Sequence, residues 1–187
     1  TDATALTPGE IAKIAARIDR PVVLVGLMGV GKSTVGRRLA AMLGTDFVDV
    51  DDEIERAADR TVSEIFEAHG EAYFRAGERR VIARLMEEAH GVIATGGGAF
   101  VDPETRALIL DQAIAVWLDC DIDTLVERTS RRNDRPLLRN GNAREILTDL
   151  KDRRGAAYAE AQIHLVTDNG PHSETAQRIL EAIDAWL

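Results

Sequence analysis

The stretch Val22-Val23-Leu24-Val25-Gly26-Leu27-Met28-Gly29-Val30-Gly31-Lys32-Ser33 decides the architecture. Four aliphatic residues without alternation read as a strand buried on both faces, the mark of a parallel sheet. From Gly26 to Ser33 the chain then matches G-x-x-x-x-G-K-[ST]. Glycines let the backbone curl so that successive N–H groups point inward, and the helix opening at Lys32 adds its partial positive end. Lys32 can reach the β- and γ-phosphates of a nucleoside triphosphate, and Ser33 can place its hydroxyl on Mg²⁺. Gly29, Val30, Gly31, Lys32, Ser33 and Thr34 are therefore the candidate ATP-binding residues.

Outward from this loop, strands and helices alternate. Thr7-Pro8-Gly9-Glu10 forms a capping box for a first helix with Ile11, Ile14, Ala15 and Ile18 at helical spacing. After the loop a helix over 32–43 carries Val35, Leu39 and Met42 on one side, and a second strand covers 47–51. Thr61-Val62-Ser63-Glu64 caps a helix ending near Gly70, and a longer one runs over 71–89. Strands follow at 92–94, 114–118 and 163–166, with helices starting at Asp102-Pro103, near Asp123, and at a cap on Ser173. Residues 130–142 lack apolar period and read as a mobile loop, followed by a helix to about Ala161. The expectation is an α/β fold, a three-layer α/β/α domain over 1–187 with a five-stranded parallel sheet, and residues 1–20 as a helical appendage. Ligands of such sheets bind at the carboxyl ends of the strands.

Composition narrows the function. The residues are 45% hydrophobic and 29% charged, which fits a soluble globular domain. The net charge of −9 speaks against a general nucleic-acid binder. No apolar run approaches the ~20 residues of a membrane span, and the N-terminus reads as neither signal nor transit peptide, so the expected location is cytoplasmic. Cys120 is the only cysteine and reads as a buried structural thiol. Between Arg128 and Arg154 nine Lys or Arg stand against four Asp or Glu. That segment is either a solvated face or a site for a multiply anionic ligand.

Other motifs sit where the sheet would present them. Asp49-Val50-Asp51 ends the second strand, and two acids at this spacing face the same way on an extended chain. One can hold Mg²⁺, and the other can accept a proton from an attacking hydroxyl. Asp52 and Glu53 suit the start of the next helix. Thr95-Gly96-Gly97-Gly98 is either a floppy loop or bare backbone for a ligand to approach. Arg75, Arg135 in Arg135-Pro136-Leu137-Leu138, and Arg154 are ordinary surface arginines or contacts to an anionic partner. Arg135 on a closing loop would act as an arginine finger.

In this order the motifs G-L-M-G-V-G-K-S-T, F-V-D-V-D-D-E-I-E, F-R-A-G-E, A-T-G-G-G and R-P-L-L resemble those of the shikimate kinases, from Val22 to the end of the chain. The resemblance implies the P-loop fold of the nucleoside monophosphate kinases, with sheet order 2-3-1-4-5, substrate-binding helices over roughly 52–90 and a lid over roughly 130–142. It implies transfer of the γ-phosphoryl of MgATP to the 3-hydroxyl of shikimate in aromatic amino-acid biosynthesis. It makes Asp51 the base and diol ligand, Asp49 the acid near Mg²⁺ beside Ser33, and Lys32 and Arg135 phosphate contacts. Arg75 and Arg154 would grip the substrate carboxylate, Gly96, Gly97 and Gly98 would lie against the substrate, and Arg128 would stack on adenine. The family's R-x-P-L-Y reads Arg154-Gly155-Ala156-Ala157-Tyr158 here, without the proline, so either Arg153 or Arg154 holds the carboxylate. The adenine-side loop near Asp168-Asn169-Gly170-Pro171 matches only loosely. Expected partners are ATP and shikimate, with no nucleic acid and no membrane, and the chain acting as a monomer. A gluconate-type small-metabolite kinase is the alternative. A GTPase switch would want an N-K-x-D motif, which is missing.

Overall fold

The computed structural model describes residues 5–88, 91–130, 142–167 and 170–187. Its strands are β1 (Val22–Val25), β2 (Phe47–Asp49), β3 (Val92–Ala94), β4 (Ile114–Cys120) and β5 (Ile163–Thr167). They form one parallel sheet in the order β2-β3-β1-β4-β5. The expected sheet and its order are both present. Val22 of β1 pairs with Val92 on one side and Ile114 on the other, so the three central strands start level. All four residues of β1 are fully buried, as a strand covered on both faces must be.

The helices are α1 (Pro8–Arg17), α2 (Lys32–Leu43), α3 (Val50–Ala58), α4 (Val62–Glu87), α5 (Pro103–Gln112), α6 (Ile122–Ser130), α7 (Ala143–Tyr158) and α8 (His172–Trp186). Right-handed crossovers in this strand order put α2 on one face of the sheet and α4, α5 and α7 on the other. α1, α2 and α8 pack together, and α4 meets α5. Ile14 is buried, Arg17 pairs with Asp184 of α8, and Leu6 N–H donates to Gln177 Oε1 at 3.2 Å. Thr7 and Thr61 accept from the N–H groups of Glu10 and Glu64, as the two capping boxes require.

Two local expectations are corrected. β2 stops at Asp49, because the Asp49 carboxylate caps α3 by accepting from Asp51 N–H at 2.9 Å and Asp52 N–H at 3.3 Å. Asp51 therefore stands in the first turn of a helix and does not share a strand face with Asp49. α8 begins at His172 behind an extended Pro171, whose carbonyl takes Glu174 N–H and Thr175 N–H, so Ser173 lies inside the helix instead of capping it. The two helices expected on either side of Gly70 are both present and are labelled together as α4, with Gly70 breaking the helical geometry between them at φ 82° and ψ 176°. The basic segment's centre, the expected lid and Arg135 lie outside the described residues, as do Asp168 and Asn169; Asn142 caps α7 by accepting from Arg144 N–H.

Gly26 joins the sheet to the loop that follows. Its φ of 141° is closed to most L side chains, and a Cβ there would drive into the Leu118 carbonyl oxygen of β4. Gly26→Ala is expected to cost about 2 kcal/mol or more, since backbone on both strands must shift. Thermal unfolding should register this as a fall of several degrees in Tm, and an unchanged Tm would contradict it.

Candidate active site

The loop between β1 and α2 curls through two further left-handed glycines, Gly29 at φ 85° and Gly31 at φ 94°. Val30 between them is buried and its carbonyl accepts from Arg128 Nη1 at 2.9 Å. Lys32 folds back across the loop, donating to the carbonyls of Gly26 at 2.7 Å and Leu27 at 3.0 Å. Thr34 is exposed on the outer side of α2. It lines an open cleft of about 510 Å³ with Arg37, Arg38, Ala41, His172 and Ser173.

Ser33 leads from this loop to the acids. Its hydroxyl donates to Asp49 Oδ2 at 2.6 Å, while Asp49 Oδ1 holds the start of α3. Two hard oxygen donors this close, beside a loop built for phosphates, fit a Mg²⁺ that completes its shell with water and phosphate oxygens. Among the described residues there is no cluster of three or more His, Cys, Asp or Glu suited to hold a metal without such help.

β3 lies between β1 and β2 and delivers the glycine run to the same edge. Thr95 continues the pairing, its N–H and hydroxyl both donating to Leu24 O, at 3.1 and 2.9 Å. Each glycine then meets one candidate side chain. A Cβ on Gly96 would stand 3.0 Å from Asp51 Oδ1, and one on Gly97 would stand 3.1 Å from Arg154 Nη1. One on Gly98 would collide with the Arg75 guanidinium. The run is thus neither floppy nor a plain turn. A single 3₁₀ turn, Ala99–Val101, follows it directly. Of the two adjacent arginines on α7, Arg153 is exposed and pairs with Asp149, while Arg154 turns inward to Gly97.

Two residues near this cluster stand in the quoted motifs without a role assigned to them. Glu78, one turn beyond Arg75 on α4, is 1% exposed and accepts from Arg75 Nη1 at 2.8 Å. Among the described residues no donor reaches its Oε2. The signal was available, because Arg75 and Glu78 are three apart on a helix. Tyr158, four after Arg154, is buried and donates its hydroxyl to Gly97 O. Arg75 also lies over the ring of Phe74, 5.2 Å from its centroid.

Burial sets the electrostatics. It raises the pKa of Asp51 from 3.8 to about 6, with Asp49 adding to the rise and Lys32 and Arg75 opposing it. Burial likewise raises Glu78 from 4.5 to about 7 against the pull of Arg75. A carboxyl whose folded pKa is raised contributes stability that is present below its unfolded pKa and lost as pH climbs through the folded one. Glu78→Gln is therefore expected to gain stability relative to the parent chain between pH 4.5 and pH 8. Urea unfolding at the two pH values measures this, and a constant difference would remove the burden assigned to Glu78.

Comparison with known proteins bears on what the cluster serves. The family model "Shikimate kinase" matches residues 28–184. A shikimate kinase of Novosphingobium aromaticivorans is 60% identical over 190 residues, covering 100% of this chain and 98% of that protein. One from Caulobacter vibrioides is 55% identical over 164 residues, covering 88% of this chain and 82% of its own length. The solved structure of the Acinetobacter baumannii shikimate kinase in complex with shikimate superposes with a TM-score of 0.87 at 38% identity, over 93% of this chain and 97% of that one. With the motifs, the sheet order and the convergent site all in agreement, the chain belongs to the shikimate kinase family.

Proposed function

We propose that the chain transfers the γ-phosphoryl group of ATP to the 3-hydroxyl of shikimate, giving shikimate 3-phosphate and ADP. One observation carries the assignment of parts. Asp51, Arg75 and Arg154 converge on Gly96, Gly97 and Gly98 at the edge where the phosphate loop also opens. The two guanidinium groups supply forked donors for a carboxylate, and the glycines leave room for a ring against bare backbone. Asp51 accepts the proton of the attacking hydroxyl. Its raised pKa makes it a better base than a solvated carboxylate while keeping it ionised at neutral pH.

Gly29, Val30, Gly31, Lys32, Ser33 and Thr34 hold the triphosphate, Lys32 swinging from the Gly26 and Leu27 carbonyls onto the phosphates. Arg128, already on the Val30 carbonyl, flanks the nucleotide. Ser33 directly, and Asp49 through water, would hold Mg²⁺, which when bound neutralises charge on the β- and γ-phosphate oxygens. Positioning and charge stabilisation supply most of the catalysis. The proposed active unit is the monomer. Among the described residues no helix is long and apolar enough to cross a membrane; the proposed location is the cytoplasm.

The Asp49–Asp51 and Thr95–Gly98 motifs argue against the gluconate-type alternative, and ADP release assayed over shikimate and a panel of sugar acids separates the two. Turnover with a sugar acid but not shikimate would overturn the assignment. Asp51→Asn is expected to lower kcat about 100-fold or more while ATP still binds. Full turnover by that variant would remove Asp51 as base. In the parent chain kcat/KM for shikimate should rise with pH through about 6 and then level. Arg75→Lys keeps a charge beside Glu78 but loses the fork. It should raise the shikimate KM about 10- to 100-fold, as loss of a charge-assisted hydrogen bond would, and leave the ATP KM nearly unchanged.

A further inference from the structure

α5 contributes no side chain to the candidate site, yet one of its residues touches both segments that carry the acceptor side. Arg106 Nη1 donates to the carbonyls of Phe100 and Val101, each at 3.2 Å. These belong to the 3₁₀ turn that extends directly from Gly96–Gly98, with Val101 N–H bonded back to Gly98 O. The Nε of the same guanidinium pairs with Glu160 Oε2 at 2.8 Å. Glu160 lies just past the end of α7, two residues beyond Tyr158 and six beyond Arg154. Tyr158 meets the run from above at Gly97 O, so α7 and the glycine turn are joined at two points. On the other side Arg79, one helical turn along α4 from Arg75, donates to Asp102 Oδ2 at 3.1 Å, and Asp102 caps α5.

The geometry presents a mechanical problem. Arg75 and Arg154 must stand close together to share one carboxylate, and before substrate arrives their like charges repel. They sit on different helices, α4 and α7, and each meets a glycine of a run that has no side chains of its own to pack. We propose that Arg106 is a positioning residue for acceptor binding: it clamps the 3₁₀ turn to the end of α7 and so fixes the gap between the Arg75 and Arg154 guanidinium groups. Its side chain is 19% exposed and makes three polar contacts, so little freedom is left to lose. Preorganisation of this kind acts on the affinity for the acceptor, not on the phosphate loop across the sheet edge. The role rests on the assignment of Arg75 and Arg154 to the substrate carboxylate.

The test is steady-state kinetics with each substrate varied, on Arg106→Met, Arg106→Lys and Glu160→Gln, beside Arg75→Lys as control. Arg106→Met should raise the shikimate KM about tenfold with the ATP KM within about twofold of the parent value. Arg106→Lys should fall between the two, because one ammonium can serve the carbonyls or Glu160 but does not span both as the fork does. Glu160→Gln, at a residue half exposed, breaks only the link to α7 and should raise the shikimate KM by a smaller factor. If Arg106→Met fails to fold, Glu160→Gln decides: a raised shikimate KM with normal ATP KM supports the clamp, and unchanged constants overturn it. Equal rises in both KM values with a lowered Tm would make Arg106 merely structural and overturn it too. If Arg75→Lys raises the shikimate KM while Arg106→Met and Glu160→Gln do not, the clamp alone fails. If Arg75→Lys itself has no effect, the carboxylate assignment fails and the clamp falls with it.

Discussion

Three hydrogen bonds to one carboxylate join the halves of this site. Asp49 ends β2, takes the Ser33 hydroxyl on one oxygen, and takes the first N–H groups of α3 on the other. The phosphate loop and the acceptor helices are separate stretches of chain, and here one side chain ties both to the sheet. The capping bond also sets where Asp51 stands, because it is what turns the chain from strand to helix one residue before Asp51. A carboxylate holding a cap is an acceptor with defined lone-pair directions. That gives the Ser33–Asp49 pair the rigidity a metal site needs and gives Asp51 a fixed approach to Gly96.

The acceptor side is organised by charge placed where water is scarce. Glu78 is buried and Asp51 half-buried, and each acid's pKa is raised by desolvation. Arg75 stands between them and lowers both. A buried pair of this kind gains little net stability, because desolvation offsets the attraction. What it supplies is direction. Glu78 holds one edge of the Arg75 guanidinium at 2.8 Å, while the Phe74 ring lies below it. Its Nη2 lies against Gly98, where a ligand carboxylate would find it, and its Nε is 3.7 Å from Glu71 Oε1. The site thus spends stability on orientation, which is the usual exchange in a preorganised catalytic pocket.

The parallel sheet makes this arrangement possible. Strands β1, β3 and β2 end side by side, and each leads into candidate site residues: the phosphate loop, the glycine run and the Asp49–Asp51 corner. The register of β1 with β3 brings Gly97 to 3.6 Å, by its Cβ position, from Met28 N in the phosphate loop. Phosphoryl donor and acceptor would therefore meet without the chain having to move either strand. Outer supports such as Arg106 and Arg79 act on the one part of this edge that has no side chains to hold itself.

Much of this was legible in the sequence, for identifiable reasons. The glycine–lysine loop depends on local conformation, so its residues declare it wherever they occur in order. The α/β alternation follows from the burial of short aliphatic runs, and the sheet order came with the family resemblance. Which of Arg153 and Arg154 faces the site was undecidable from spacing, since neighbouring helical residues point about 100° apart and only packing of α7 fixes the rotation. The strand-face argument for Asp49 and Asp51 failed because a cap bond ended β2 earlier than aliphatic pattern suggests. Glu78 was visible as a helical partner of Arg75, but its near-complete burial, and with it its raised pKa, arises only when α4 packs against the rest of the domain. The sequence by itself determined the phosphate loop, because that rests on local geometry and residue chemistry, while the candidate acceptor residues came with the family resemblance. Tertiary structure alone decided their mutual distances, the shifted acids and the Arg106 clamp, because those depend on segments far apart in the chain being held against one another.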